Sequence, residues 1–395
     1  MANQQPNAVT RPQSDLLPAL TGIRFFAVFH IFLFHLWTLF NMEKEGDFTN
    51  MLMEIGDLPP SLIAFFSNGW MSTSFFFILS GFILSYLYWG EDGKLVGSSK
   101  RFWFLRLSRL YPIHFITLAL TVVPLMGYHL QMGTKISTLV PSLLGTVALL
   151  QAWVPSWVPM WSWPTWTISA LIFLYLVMPW LMRSLSKLSL KQQKILLFSL
   201  PLISLIPTII YAQFFPSGSE PVQHWQIFLG SNPLFWVPQF VAGMLLSRVF
   251  GIVRYNTNWK PAQPSWFAIG DIALLGAIAL ALYPDIQEPF KYFLRHGLML
   301  PLFMLVILDL ARGKGLAARL FALPGTGYLG NTAFAIFIWQ NLVMTFCWIA
   351  TQAHASFASQ LFIVSCIGIV IIAITSTYLI ERPLARVLRR KYLGS

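Results

Sequence analysis

Three groups of residues could do chemistry, and all three sit in or beside apolar sequence. The first is RFFAVFHIFLFH (24–35). Arg24 and His35 are 11 residues apart. At 100° per residue that is roughly 20° past three full turns, so they share one helix face about 16 Å apart along the axis. A histidine can take the proton of a hydroxyl near neutral pH. An arginine can grip an anion through a planar fork of donors. An ionisable group in hydrocarbon costs on the order of 3 kcal/mol, so such groups turn toward the interior of a helix bundle. The plainer alternative is that Arg24 snorkels to the headgroups and His35 is a satisfied core residue. His30 points off this face and reads as structural.

The second group is RFWFLRLSRLYP (101–112). Arg106 and Arg109 are three apart, hence neighbours on one helix face. Two fixed guanidiniums suit a phosphate-rich ligand, since each can bind oxygens bidentately; ordinary topogenic charge is the competing explanation. Pro112 then reads as the start of the next span. The third group is GWMSTSFFFILSGFILSYLY (69–88). Ser80, Gly81 and Ser85 are small residues that let helices pack closely. No acid or base adjoins Ser80 and no G-x-S-x-G elbow is present, which argues against a serine nucleophile.

The elements that must position these groups are membrane helices. Of 395 residues, 56% are hydrophobic and only 10% charged, and the mean hydropathy is +0.65. A soluble domain needs more charge to cover its surface, so an all-α polytopic integral membrane protein is expected. With about 20 apolar residues per crossing, ten spans stand out: 16–40, 62–89, 110–128, 164–182, 193–214, 232–250, 267–284, 294–312, 329–350 and 357–380. The stretch SLLGTVALLQAW (142–153) is short. If it does not cross, the basic segments 91–109, 183–194, 248–260, 312–319 and the C-terminal tail all fall on one side, with the acidic segment 41–61 opposite. The positive-inside rule then puts both termini in the cytoplasm. The expected organisation is a cytoplasmic tail (1–15), a transmembrane domain (16–386) and a basic cytoplasmic tail (387–395), with the first helix retained rather than cleaved as a signal. The net charge of +12 is thereby a topology signal and not a sign of nucleic-acid binding. It can also attract an anionic substrate.

Other signals are weaker. Cys347 and Cys366 lie in apolar runs and suggest small core residues, with no disulfide and no metal site. No Walker A, G-x-G-x-x-G, H-E-x-x-H or His-x4-Asp pattern occurs. The aromatic loop VPSWVPMWSWPTW (154–166) can anchor at the interface or stack on sugar rings, anchoring being the commoner use.

In order along the chain, six stretches resemble the membrane acyltransferase family 3, the bacterial O-acyltransferases that modify cell-surface and secreted carbohydrates. LPALTGIRFFAVFHIFLFH (17–35) is similar to the family's opening Arg-x10-His helix, with Arg24 and His35 at those positions. SFFFILSGFILSY (74–86) and RFWFLRLSRLYP (101–112) follow, the latter carrying the Arg-x-x-Arg signature on Arg106 and Arg109. PTWTISALIFLYLVMP (164–179), LGNTAFAIFIWQNLV (329–343) and ERPLAR (381–386) complete the series. Two positions depart: Leu171 stands where members often carry Glu, and Gln340 where many have His. The resemblance implies a multi-pass protein of the bacterial cytoplasmic (inner) membrane. It implies transfer of an acyl group, acetyl first, from cytoplasmic acyl-CoA to a carbohydrate or glycolipid hydroxyl, without a metal. His35 would be the base, Arg106 and Arg109 would hold the CoA phosphates, and Arg24 would steady a phosphate or line the path of the pantetheine arm. Trp166, Asn331 and Gln340 are secondary binding candidates. The rival readings are a transporter or flippase of an anionic lipid or glycan, with His35 as a proton relay, and a weakened relative that binds acyl-CoA or glycan without turnover.

Overall fold

The computed structural model describes residues 17–40, 58–90, 92–214, 222–256, 268–284, 286–353 and 358–393. Most of the acidic segment 41–61 and all of the tail 1–15 expected from sequence therefore lie outside the described residues. The described chain is helical, with one isolated antiparallel bridge, Trp89 to Leu95. In chain order the helices are α1 (Pro18–Phe40), α2 (Pro60–Ser67), α3 (Met71–Tyr88), α4 (Ser99–Gln131), α5 (Ile136–Val147), α6 (Val158–Trp161), α7 (Trp166–Ser186), α8 (Leu190–Phe214) and α9 (Val222–Ser231). There follow α10 (Val237–Asn256), α11 (Ile269–Ala281), α12 (Phe290–Phe293), α13 (Leu300–Arg312), α14 (Gly315–Phe321), α15 (Pro324–Gly330), α16 (Ala333–Ala353), α17 (Ala358–Thr375) and α18 (Arg382–Leu393).

Among the described residues nine helical segments are long and apolar enough to cross a membrane. The expected seventh span, 267–284, forms only the 13-residue α11, about 20 Å long. Its two ends are nevertheless held at opposite ends of the bundle. Asp271 accepts hydrogen bonds from the backbone N–H groups of Leu316 and Ala317, at 3.0 and 2.9 Å, at the start of α14. The carbonyls of Ala281 and Tyr283 accept from Asn68 Nδ2, at 3.2 and 3.0 Å, just before α3. The segment thus runs the way a ten-span topology requires. The stretch 142–153 does not form a span: α5 ends at Val147, and 3₁₀ turns Gln151–Trp153, Pro155–Trp157 and Trp163–Thr165 follow.

The third span differs from expectation at its start. Instead of beginning at Pro112, α4 begins at Ser99 and carries Pro112 and Pro124 inside it. The Ser98 side chain caps it, accepting from the Arg101 N–H at 3.2 Å, which satisfies a donor that a helix start would otherwise leave open. Proline forfeits one backbone bond, which a 33-residue helix packed along its length tolerates. Arg106 and Arg109 are consequently mid-helix residues with fixed direction.

Two glycines set the closest packing. A side chain on Gly81 of α3 would collide with the Phe240 carbonyl of α10, and one on Gly243 of α10 would collide with the Ile78 carbonyl of α3. The two backbones touch, as small residues allow in membranes. Around this pair lies the larger core, which includes Phe77, Ile78, Phe82, Phe240, Leu245 and Ile307. A second core joins α1, α16 and α17 through Val28, Phe32, Leu36, Ile336, Ile338 and Ile369. On α8 the outward stripe Phe198, Leu202 and Ile206 is 74%, 69% and 51% exposed, an apolar face turned to the outside as lipid contact requires.

Candidate active site

A cavity of about 400 Å³ lies between α1, α3, α4, α7 and α16. α3 lines it from Thr73 to Leu87, a length of roughly 21 Å along the helix axis. At its basic end stand Arg24, Arg106, Arg109 and Arg389. Since Arg24 is near the start of α1 and Arg389 is on α18, both described ends of the chain meet at this end of the bundle.

These guanidiniums are held mainly by uncharged groups. Arg106 Nη2 donates to the Tyr88 hydroxyl at 2.6 Å, with its guanidinium carbon 5.0 Å from the Tyr88 ring centre and 5.8 Å from that of Phe102. Arg109 lies 5.6 Å from the Phe334 ring centre. Among the described residues none of the four has a carboxylate within ion-pairing distance. The nearest acid in effect is Glu381, whose charge acts on Arg109 from beyond that range. Glu381 is fixed by a relay in which Trp339 Nε1 donates to Ser376 Oγ at 2.8 Å and Ser376 Oγ donates to Glu381 at 3.4 Å. The accessible surfaces of Arg109 and Asn331 form cavity wall, so their polar groups face open space.

The walls beyond are apolar: Phe76, Phe77, Leu79, Ile83, Leu84 and Leu171. Leu171 faces the cavity one turn from Tyr175. The Tyr175 hydroxyl lies in the field of Arg24, Arg106 and Arg109. The far end is closed by Ile31, Thr73, Thr167 and Phe337. His35 and Gln340 do not line the cavity. They sit just past its end, His35 one turn beyond Ile31 on the same face of α1, and Gln340 three residues beyond Phe337 on α16.

The hydrogen bonds there fix a tautomer. Gln340 Nε2 donates to the Phe337 carbonyl at 2.9 Å, so its Oε1 is the atom 3.1 Å from His35 Nδ1. An amide oxygen only accepts, so Nδ1 carries the proton and Nε2 keeps its lone pair. Among the described residues Nε2 has no hydrogen-bond partner. His30 differs: Nδ1 is 2.9 Å from Ser72 Oγ and Nε2 is 2.7 Å from the Phe65 carbonyl. Both its nitrogens are spoken for, as a packed structural histidine requires.

The structure therefore brings Arg24, Arg106, Arg109 and Asn331 into one cavity, and His35 with Gln340 just past its far end. Trp166 lies elsewhere. It is 4% exposed, stacked with Phe77 at 6.3 Å and tilted against Trp236 at 5.5 Å, so it is packed away from a sugar in this arrangement. Sequence reasoning missed Tyr175, Arg389 and Arg295. Tyr175 sits four residues after Leu171 in a quoted stretch, and that i, i+4 spacing was the available signal. Arg389 was read only as tail charge.

The family model described as an acyltransferase domain matches residues 17–382. The acyltransferase MdmB of Streptomyces mycarofaciens is 28% identical over 186 residues, covering 46% of this chain and 43% of its own length. A putative acetyltransferase, ORF330 of the Acidianus two-tailed virus, is 23% identical over 341 residues, covering 85% of each chain. The chain thus spans less than half of the first relative and most of the second. No solved structure matches it. With the family match running from the start of α1 to the start of α18, through α1, α3, α4, α7 and α16 around the cavity, the chain belongs to the acyltransferase 3 family of membrane proteins.

Proposed function

We propose that the protein transfers an acyl group from acyl-CoA, entering from the cytoplasm, to a hydroxyl of a cell-surface or secreted carbohydrate. The observation that carries this reading is the cavity itself, with a cluster of arginines that have no carboxylate partner among the described residues at one end and a histidine of fixed tautomer just past the other. The donor needs such a shape, because its phosphates and its thioester lie at opposite ends of a long, thin arm.

In this reading Arg106 and Arg109 take the phosphates as charge-assisted, fork-like pairs, and Arg24 lines the path of the arm. The apolar walls keep water from the thioester. His35 Nε2 takes the proton of the acceptor hydroxyl as its oxygen attacks the carbonyl carbon. Gln340 holds the ring so that Nε2, not Nδ1, faces the reaction. Asn331 and Tyr175 offer further polar contacts to the arm. Acetyl is the first donor to try because one relative is named as a putative acetyltransferase. The carbohydrate acceptor and the bacterial cytoplasmic membrane rest on the family resemblance and on the one-sided distribution of Lys and Arg.

The test is thiol release from acetyl-CoA by purified protein in detergent, with and without a crude surface-glycan extract, beside His35→Ala. Glycan-dependent release that vanishes in the variant is the expected outcome. Full activity in His35→Ala would remove the histidine from the mechanism, and silence from wild type with every acyl-CoA tried would remove the reaction.

A further inference from the structure

The stretch 292–303, YFLRHGLMLPLF, places an arginine and a histidine in an apolar run. In the structure it contains a π-helical turn, Leu294–Leu298, a distortion that often marks functional positions. Arg295 projects from this turn between two buried indoles. Its guanidinium carbon is 5.5 Å from the Trp166 ring centre and 5.3 Å from that of Trp236. Nη2 donates to the Gly230 carbonyl at 3.2 Å, and the Arg295 carbonyl accepts from Ser74 Oγ. Among the described residues it has no carboxylate partner, and its buried Nε has no hydrogen-bond partner at all. The residue is half-buried.

The surroundings lack partners too. Among the described residues both ring nitrogens of the buried His296 and the Oε1 of Gln239 have no hydrogen-bond partner. Gln239 Nε2 donates to the His296 carbonyl at 3.0 Å, and the His296 ring lies 5.0 Å from Trp236. Buried polar groups in a folded protein are almost always paired. Four unpaired atoms on three adjoining residues mark a place where something polar is meant to sit.

That place adjoins the far end of the cavity. Thr73 and Thr167 close the cavity, and their chain neighbours Ser74 and Trp166 hold Arg295. Phe77 lines the cavity on one side and stacks on Trp236 at 4.4 Å on the other. The Arg295 charge also acts on His35. A permanent cation in a water-poor site, locked by two rings and with donors to spare, is what a developing negative charge needs.

We infer that Arg295 is the oxyanion donor of this site; this rests on the acyltransfer reading given above. The acceptor oxygen bonds to the thioester carbonyl carbon while its proton passes to His35 Nε2. The carbonyl π pair moves onto its oxygen, and Arg295 N–H groups hold that oxyanion. On collapse the pair returns, the carbon–sulfur bond breaks, and the leaving thiolate takes the proton back from His35. Ester and free thiol are the products. The tetrahedral adduct carries its negative charge between Arg295 and the protonated His35, so the two cations are not left facing one another.

The experiment compares wild type, Arg295→Ala and Arg295→Gln in glycan-dependent thiol release from acetyl-CoA. The Gln variant keeps a donor for the Gly230 carbonyl and guards against a folding defect in the Ala variant. The expected result is a fall in kcat of about 10²–10³-fold with KM for acetyl-CoA little changed. Millimolar guanidinium should partly restore turnover to Arg295→Ala, which repair of a merely structural defect would not do. A variant turning over near the wild-type rate overturns the assignment, as does loss with no rescue. A rise in KM for the glycan at unchanged kcat would also overturn it and move Arg295 to acceptor binding. Failure of wild type itself to release thiol from any acyl-CoA is a different result, which removes the acyltransfer reading.

Discussion

At the basic end of the cavity, four arginines from α1, α4 and α18 share one open space with no carboxylate in ion-pairing range. Near the opposite end, a single arginine is clasped between two indoles and tied to one carbonyl. Open clustering suits a flexible polyanion, because several forks can share phosphate oxygens in more than one arrangement. Clasping suits a charge that appears at one point for one moment, since the donor has already given up its freedom. In the proposed reaction the same residue type serves affinity at one end and rate at the other, and substitutions at the two ends should separate KM from kcat.

The largest effect should come at the rate end. His35→Ala should lower kcat by about 10²–10⁴-fold, the usual contribution of a positioned base, as steady-state thiol release will show. The double variant Arg106→Ala/Arg109→Ala should mainly raise KM for acetyl-CoA, by on the order of 100-fold if each charge-assisted contact is worth about 1.5 kcal/mol. A comparable fall in kcat would break the division between the ends. Gln340→Leu leaves His35 Nδ1 without its acceptor and frees the other tautomer. Loss of one neutral hydrogen bond, about 1 kcal/mol, predicts roughly a 5-fold drop in kcat, and Gln340→Glu should restore the acceptor. Arg389→Ala, which removes one half-buried guanidinium from the basic end of the cavity, should raise KM for acetyl-CoA only about 2–5-fold, as loss of a charge contact worth up to about 1 kcal/mol implies, and more weakly at high salt.

Much of this was legible in sequence, for identifiable reasons. Ten apolar runs made a multi-pass helical fold legible because lipid leaves the backbone few choices. Arg24 and His35 were readable because the helical period alone puts them on one face, and Arg106 and Arg109 because three residues is a neighbour spacing. What was not legible depended on partners far away in sequence. The tautomer of His35 is set by a residue 305 positions on. Arg295 carries no spacing signal in the sequence, and only the π-helical turn and two indoles from other elements give it a place. The start of α4 was hidden by Pro112, whose usual meaning as a boundary gave way to the Ser98 cap and the packing of a long helix.

The locked ring of His35 has a consequence for the energetics of the proposed reaction at the membrane. Only Nε2 can exchange a proton, and the proton it takes from the acceptor is the one it hands to the thiolate. The cycle closes inside the protein and neither draws a proton from one compartment nor releases one to the other. Acyl transfer by this route is uncoupled from the protonmotive force. It would be driven by the thioester alone and would proceed equally in an energised or a collapsed membrane.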